Sequence, residues 1–383
     1  MASVQLVMGC AFSIVPPVLP LLLPTLGVDT PQSQRIWAGM VLGVTPLAAA
    51  ITSTWWGRLT NRIDARWIIL VSCGTAAVCT ACMSLANQPL QLLALRFAMG
   101  LFGGHIAASM AIVSRAAPGE RLGYALGWIA AAQLSGTLLG PLLGGAIADA
   151  FRNLRAPFVA AGFAILLVVA FVARVPPQRS SPTPADHTHA LRIVGAGREL
   201  GTLLVTLLMA QCAIMSLQPI ISLHVHELTG PRPDLATLSG LAFSALGLGG
   251  LLAAPVLGRL SDAIGARRVL LVAMTAAALF TATQALAPTY SWFIATRLVA
   301  GVFVAGIIPT INTLVGRRVP AADRGQAYGL TASATFFGAF VGPTGGGVLS
   351  AHLGLSSVFI CSAMILALAA VWIHARLPRD PPI

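Results

Sequence analysis

Long apolar runs broken by short polar connectors set the pattern of this chain. Twelve such runs cover residues 3–26, 34–57, 67–86, 90–113, 122–149, 156–175, 199–226, 237–258, 268–287, 291–315, 325–350 and 355–375. A helix rising about 1.5 Å per residue over such a run spans the ~30 Å hydrocarbon layer of a bilayer. Hydrocarbon offers no water to backbone N–H and C=O groups, so each run must pair them internally, as a helix does. The runs do not alternate apolar and polar residues, which excludes a β-barrel. Turn residues punctuate them at Gly27–Pro31, Asn87–Pro89, Pro118–Gly119, Pro231–Pro233, Pro288 and Pro320. The pattern predicts an all-α membrane protein of twelve transmembrane helices.

The pattern also repeats. GRLTNRIDARWIIL at Gly57–Leu70 returns as GRLSDAIGARRVLL at Gly258–Leu271, 201 residues later. CAFSIVPPVLPL from Cys10 answers CAIMSLQPIISL from Cys212, RFAMG at Arg96–Gly100 answers RLVAG at Arg297–Gly301, and GTLLGPLLGG at Gly136–Gly145 answers GAFVGPTGGG at Gly338–Gly347. One near-constant offset across four landmarks is the mark of a tandem duplication. Two pseudosymmetric six-helix halves are expected, over 1–175 and 198–383. The Pro- and Ser-rich segment 176–197 between them reads as a flexible linker. His187 and His189 within it are either a solvated part of that linker or a metal pair, and its composition favours the linker.

Charge fixes an orientation. Only 9% of residues are charged, against about a quarter in soluble domains. The net charge is +12, and all 23 basic residues are arginine. With both termini in the cytoplasm, 17 arginines fall in inner connectors and 4 (Arg35, Arg152, Arg155, Arg232) in outer ones. This is the positive-inside bias, and it replaces nucleic acid as the explanation of the basic balance. The six cysteines all lie inside apolar runs and read as small buried hydrophobes. Cys79 and Cys82 form a CxxC without a second pair, so no metal site is expected. The chain begins almost directly in an apolar run that has no charged segment before it, and no cleaved leader is expected.

Two six-span halves related by an axis along the membrane normal are the layout of major facilitator transporters. The Gly57 and Gly258 loops resemble that superfamily's signature after spans 2 and 8. Gly136, Gly140, Pro141, Gly144 and Gly145 resemble the span-5 motif of its bacterial drug:proton antiporters, and Gly9–Gly27 resembles span 1 of multidrug-efflux members. The resemblance implies a monomeric secondary transporter in the bacterial cytoplasmic membrane, without cofactor or enzymatic activity. It implies proton-coupled efflux of small lipophilic or amphipathic compounds, whose partners are protons and the lipid bilayer. The alternatives are export of a sugar, metabolite or lysolipid on the same fold, or a membrane sensor that transports nothing.

The resemblance gives the acid of the loop signature a latching role on the inner face. The second copy keeps it, with Asp262, Gly265, Arg267 and Arg268. The first departs: Asn61 stands for the acid and Asp64 for the glycine, beside Arg62. Unequal latches are expected, the stronger at Asp262, the alternative being a purely topogenic loop. The spacing of four between span-5 glycines predicts a groove for close helix packing, and Pro141 bends its helix. Arg96 and Arg297 lie inside spans 4 and 10, where a charge faces the protein interior or snorkels outward. The resemblance places Arg96 in proton transfer. No acid is mid-span, so the titratable candidates are Asp149 and Glu227 at outer helix ends and His105 in span 4. Gln211, Met215, Gln218 and Ser222 form one helical stripe in span 7. Phe12, Ser13, His105, Ser109, Gln133, Asn312, Phe336 and Phe337 join it as cavity candidates. Helix–helix hydrogen bonding is the competing reading for each.

Overall fold

A computed structural model describes residues 1–59, 63–116, 122–174, 197–320 and 323–378, without the side chains at 54, 57, 58, 115, 116, 122, 123, 254, 255, 258, 262 and 325. The described residues form helices joined by short turns, as the apolar runs predict. In chain order they are α1 (Ala2–Leu22), α2 (Pro31–Leu59), α3 (Ala65–Met83), α4 (Pro89–Leu101), α5 (His105–Ala116), α6 (Leu122–Ala150), α7 (Ala156–Val172), α8 (Gly197–Ser216), α9 (Ile221–Thr229), α10 (Leu235–Ile264), α11 (Ala266–Gln284), α12 (Tyr290–Arg318), α13 (Arg324–Leu353) and α14 (Leu355–Arg376). A single turn of tighter helix at Leu23–Leu26 extends α1.

Among the described residues, ten segments are long and apolar enough to cross a membrane. Helices α7, apolar but only 17 residues long, and α13, glycine-rich, occupy the positions of predicted spans 6 and 11. Two spans are broken rather than continuous. The fourth divides into α4 and α5 around Phe102–Gly104, where glycines accept the bend, and the seventh divides into α8 and α9 at Leu217–Ile220.

Glycine decides how the helices meet. Gly136, Gly140 and Gly144 of α6 lie against the α1 backbone at Leu6, Cys10 and Ile14. Their counterparts 202 residues on, Gly338, Gly342 and Gly346 of α13, lie against α8 at Leu208, Cys212 and Ser216. A side chain at Gly136, Gly140, Gly338, Gly342 or Gly346 collides with the facing helix, and one at Gly144 is tight against Ile14, so the close approach depends on glycine.

The next glycine in each series faces a different helix. Gly145 lies on the carbonyl of Ala236, and Gly240 on that of Pro141, joining α6 to α10. The same construction joins α13 to α2: Gly347 lies on the carbonyl of Arg35, and Gly39 on that of Pro343. These two seams are the same contact repeated by the pseudosymmetry. Both use the C-terminal half of α6 or α13 and the N-terminal half of α10 or α2, so both lie at one end of the bundle. Ser244 reinforces the first, its hydroxyl donating to the Leu138 carbonyl at 2.7 Å. Ser222 of α9 reaches the Pro17 carbonyl of α1 at 2.8 Å on the same side. We call this the sealed end. Toward the opposite end, α2, α6, α10 and α13 expose Trp55, Trp128, Val256 and Tyr328, and there the arginine-rich connectors lie.

Replacing Gly240 with Val puts a branched side chain into the α6–α10 seam, an overpacking cost of about 1–3 kcal/mol. The sealed end is expected to part. A cysteine introduced at Ser244, with the native cysteines replaced, then reacts with a water-soluble maleimide several-fold faster than with Gly240 intact. Equal labelling rates would show that the seam does not hold this end closed.

Candidate functional site

Charged side chains finish both seams, and they do so in opposite senses. Asp149, at the end of α6, projects onto the first turn of α10, where its carboxylate accepts from the N–H of Ala236 at 3.3 Å and of Thr237 at 2.7 Å. A helix N-terminus leaves these donors unpaired and carries partial positive charge, so a carboxylate there is favoured twice over. The residue placed in sequence to cap α10, Asp234, makes no side-chain cap bond. Arg232 holds it in a two-pronged pair at 2.7 and 2.9 Å, which keeps its carboxyl below the usual carboxylate range. Asp149 therefore caps α10 from another helix. At the second seam the chemistry is inverted. Arg35 of α2 donates to the Ser350 carbonyl near the C-terminus of α13 at 2.7 Å. A cation there meets unpaired carbonyls and the negative pole of the helix.

Arg35 also faces Glu227 of α9 at 3.8 Å, and Glu227 lies 3.9 Å from His224 Nδ1. Glu227 is half exposed, so its pair with Arg35 contributes little by itself. His224 is buried between the rings of Phe293 and Phe359, with neither ring nitrogen hydrogen-bonded. Sequence reading passed over both Arg35 and His224. Arg35 looked like one more connector arginine, and His224 fell at the end of a run whose polar stripe ended two residues earlier.

Arg96 and Arg297 do not snorkel. They are 5% and 2% exposed. The Arg96 Nε points at the Val41 carbonyl at 3.4 Å, while Thr45 donates to the carbonyl of Arg96 at 2.9 Å. In the repeat, Arg297 donates to the Ala242 carbonyl at 2.7 Å and to Gln284 Oε1 at 3.3 Å, and its guanidinium lies 5.6 Å over the Phe293 ring. Met83 stands where the repeat would place a partner like Gln284.

The cavity candidates divide into two groups. Phe12 of α1 stacks on His105 of α5, with ring centres 5.9 Å apart. His105 Nδ1, the Ser109 hydroxyl and Gln133 Oε1 are buried without a hydrogen-bond partner, and so is Gln211 Oε1. Others serve packing. Ser13 donates to the Gly9 carbonyl at 2.6 Å and to that of Gly136 at 3.2 Å. The Cβ atoms of Gln211 and Met215 fill the space beside Gly338 and Gly342. The span-7 stripe is not continuous, because the chain leaves the helix at Leu217. Gln218 lies in the break and Ser222 faces α1. Asn312 and Phe336 are half-buried, and Phe337 is exposed with its ring 6.3 Å from Phe340.

Among the loop residues, Asp64 caps α3 by accepting the Arg66 N–H at 3.0 Å. Gly265 turns the chain at φ +94°. Arg267 donates to the His374 and Leu377 carbonyls at 2.9 and 3.0 Å, tying α11 to the end of α14. Arg268 is exposed. Asn61 and Arg62, and the side-chain surroundings of Gly57, Gly258 and Asp262, lie outside the described residues.

Comparison with known proteins agrees with this architecture. The profile of the Major Facilitator Superfamily matches residues 1–239 and 203–383. Multidrug resistance protein MdtG of Serratia proteamaculans is 32% identical over 97% of this chain and 92% of its own length. The uncharacterized MFS-type transporter YuxJ of Bacillus subtilis is 32% identical over 96% of this chain and 95% of its own. Among solved structures, a bacterial homolog of the human lysosomal transporter Spinster, crystallised inward-facing and occupied, superposes with a TM-score of 0.79 at 14% identity over 98% of this chain and 95% of that one. The nucleoside transporter NupG does so with 0.77 at 13% identity, over 99% and 100%. At that identity the solved structures speak for the fold alone, while the profile and the curated relatives cover nearly the whole chain. This multi-pass membrane protein is a transporter, not an enzyme, and belongs to the Major Facilitator Superfamily.

Proposed function

We propose that the chain exports hydrophobic and amphipathic drug-like compounds in exchange for protons, by alternating access. The observation that carries this reading is the difference between the two ends of the bundle: one is closed by two glycine seams, and the other carries the arginine-rich connectors. The positive-inside rule assigns those connectors and both termini to the cytoplasm, and on this reading the sealed end faces outward. Residues 1–175 and 198–383 then act as two rocking bodies, with 176–197 as the tether. The span-5 motif and the name of the MdtG relatives support efflux of drugs.

Asp149 and Glu227 sit at the sealed, outward end, within reach of protons from outside. Protonating Asp149 removes the charge that holds the first turn of α10 and weakens the cap. Closure of the inner end falls to the loops after spans 2 and 8, with Asp262 after span 8 as the ionic latch and Asn61 after span 2 as its weaker counterpart. Phe12, His105, Ser109, Gln133, Gln211 and Phe337 contribute the apolar and hydrogen-bonding surface for substrate, and Arg96 and His105 lie on the proton's path.

Reconstitution into proteoliposomes tests the reading. A neutral hydrophobic fluorophore is expected to be driven across the membrane by an imposed pH gradient and to stop when a protonophore collapses it. Flux that ignores the gradient would remove proton coupling; flux of a nucleoside or sugar in place of the fluorophore would overturn the substrate. Asp149→Ala removes two charge-assisted hydrogen bonds, a loss of about 1–3 kcal/mol at the seam. Gradient-driven flux should fall at least about tenfold, a change of roughly 1.4 kcal/mol; unchanged flux would take Asp149 out of the mechanism. At the inner loops, Asp262→Asn should slow transport several-fold more than Asn61→Ala, and equal effects would make the loops topogenic only.

A further inference from the structure

We infer that the substrates are lipophilic anions and neutral molecules, and that isosteric lipophilic cations are rejected. This rests on the lipophilic-exporter reading and narrows it by charge. Of the eleven acids, none lies in the middle of a span. The acids with described side chains sit at helix ends, and most are already engaged. Asp149 caps α10 and Asp64 caps α3. Glu199 pairs with Arg318 at 3.0 Å, Glu227 faces Arg35, and Asp234 is held by Arg232.

The mid-depth charges are all of the other sign. Arg96 and Arg297 each lie seven residues inside their helices, roughly 10 Å from the end at 1.5 Å per residue. Among the described residues their partners are carbonyl oxygens, an amide oxygen and an aromatic face, none of which cancels a full charge. The histidines at similar depth, His105 and His224, add only positive charge when they ionise. A guanidinium buried in low dielectric projects its field much farther than one in water. A cation entering the interior meets this field with no carboxylate to receive it, whereas an anion is attracted by it. The groups left unpartnered inside, His105 Nδ1 and the side-chain oxygens of Ser109, Gln133 and Gln211, can hydrogen-bond but carry no negative charge, so none of them offsets the arginine field for a cation.

The test uses the purified full chain and one scaffold in three charge states: biphenylbutanoate, the matching primary amide and the matching primary amine. Half-saturation is read from ligand-induced thermal stabilisation. The carboxylate and amide are expected to saturate at concentrations at least about tenfold below the amine, the scale of a single unit charge acting over about 10 Å. The near-isosteric Gln211→Glu places a carboxylate in the interior and should reverse the order, so that the amine saturates first. An amine that saturates as early as the carboxylate in the unaltered protein would overturn this inference alone. Stabilisation by none of the three would overturn the lipophilic reading and this inference with it. Should Gln211→Glu fail to fold, the ranking in the unaltered protein still decides.

Discussion

Helix backbones meeting without side chains between them is the constraint on which this structure depends. At Gly145 and Gly240, and again at Gly39 and Gly347, an α-carbon rests on the carbonyl of a facing helix. In a bilayer there is little hydrophobic gain from helix association, so close van der Waals contact and interhelical hydrogen bonds must supply the attraction. Such contacts are short-ranged. A small tilt of either helix loses them together, which makes the seam a two-position element, made or broken. That property suits a gate better than a broad leucine interface, which yields gradually.

The charged groups at the seams fit the same logic. Asp149 on the first turn of α10 and Arg35 on the last turn of α13 each use a helix terminus as counter-ion. Neither needs a buried partner of opposite sign, so neither leaves an orphaned charge when the seam opens. The two halves share one backbone construction and differ in the side chain that completes it. The pseudosymmetry thus repeats the contact but not its charge: a carboxylate on a helix N-terminus completes one seam and a guanidinium at a helix C-terminus the other.

Much of the fold was legible because the bilayer restricts the options. Apolar length located the helices, and the 201–202-residue offset located their equivalents. The breaks at Phe102–Gly104 and Leu217–Ile220 went unread because long apolar runs flank both, although Gly103, Gly104 and Pro219 were a local signal for them. The break in span 7 has a consequence: a stripe drawn through Gln211, Met215, Gln218 and Ser222 assumes one helix, and the chain supplies two. The motif glycines revealed close packing but not its direction. Gly136, Gly140 and Gly144 serve α1 and Gly145 serves α10, a division of roles that spacing does not encode. The partners of Asp149 are backbone N–H groups 87 and 88 residues away, and a backbone donor has no signature in sequence.

Alternation between the two ends is the central claim, and paired distance measurements test it most directly. Spin labels at Phe151 and Arg232 report on the sealed end, and labels at Trp55 and Tyr328 on the opposite end. Asp149→Ala, which removes the cap on α10, should lengthen the first distance and shorten the second in the same population of reconstituted molecules. Distances that stay fixed, or that lengthen together, would contradict the account.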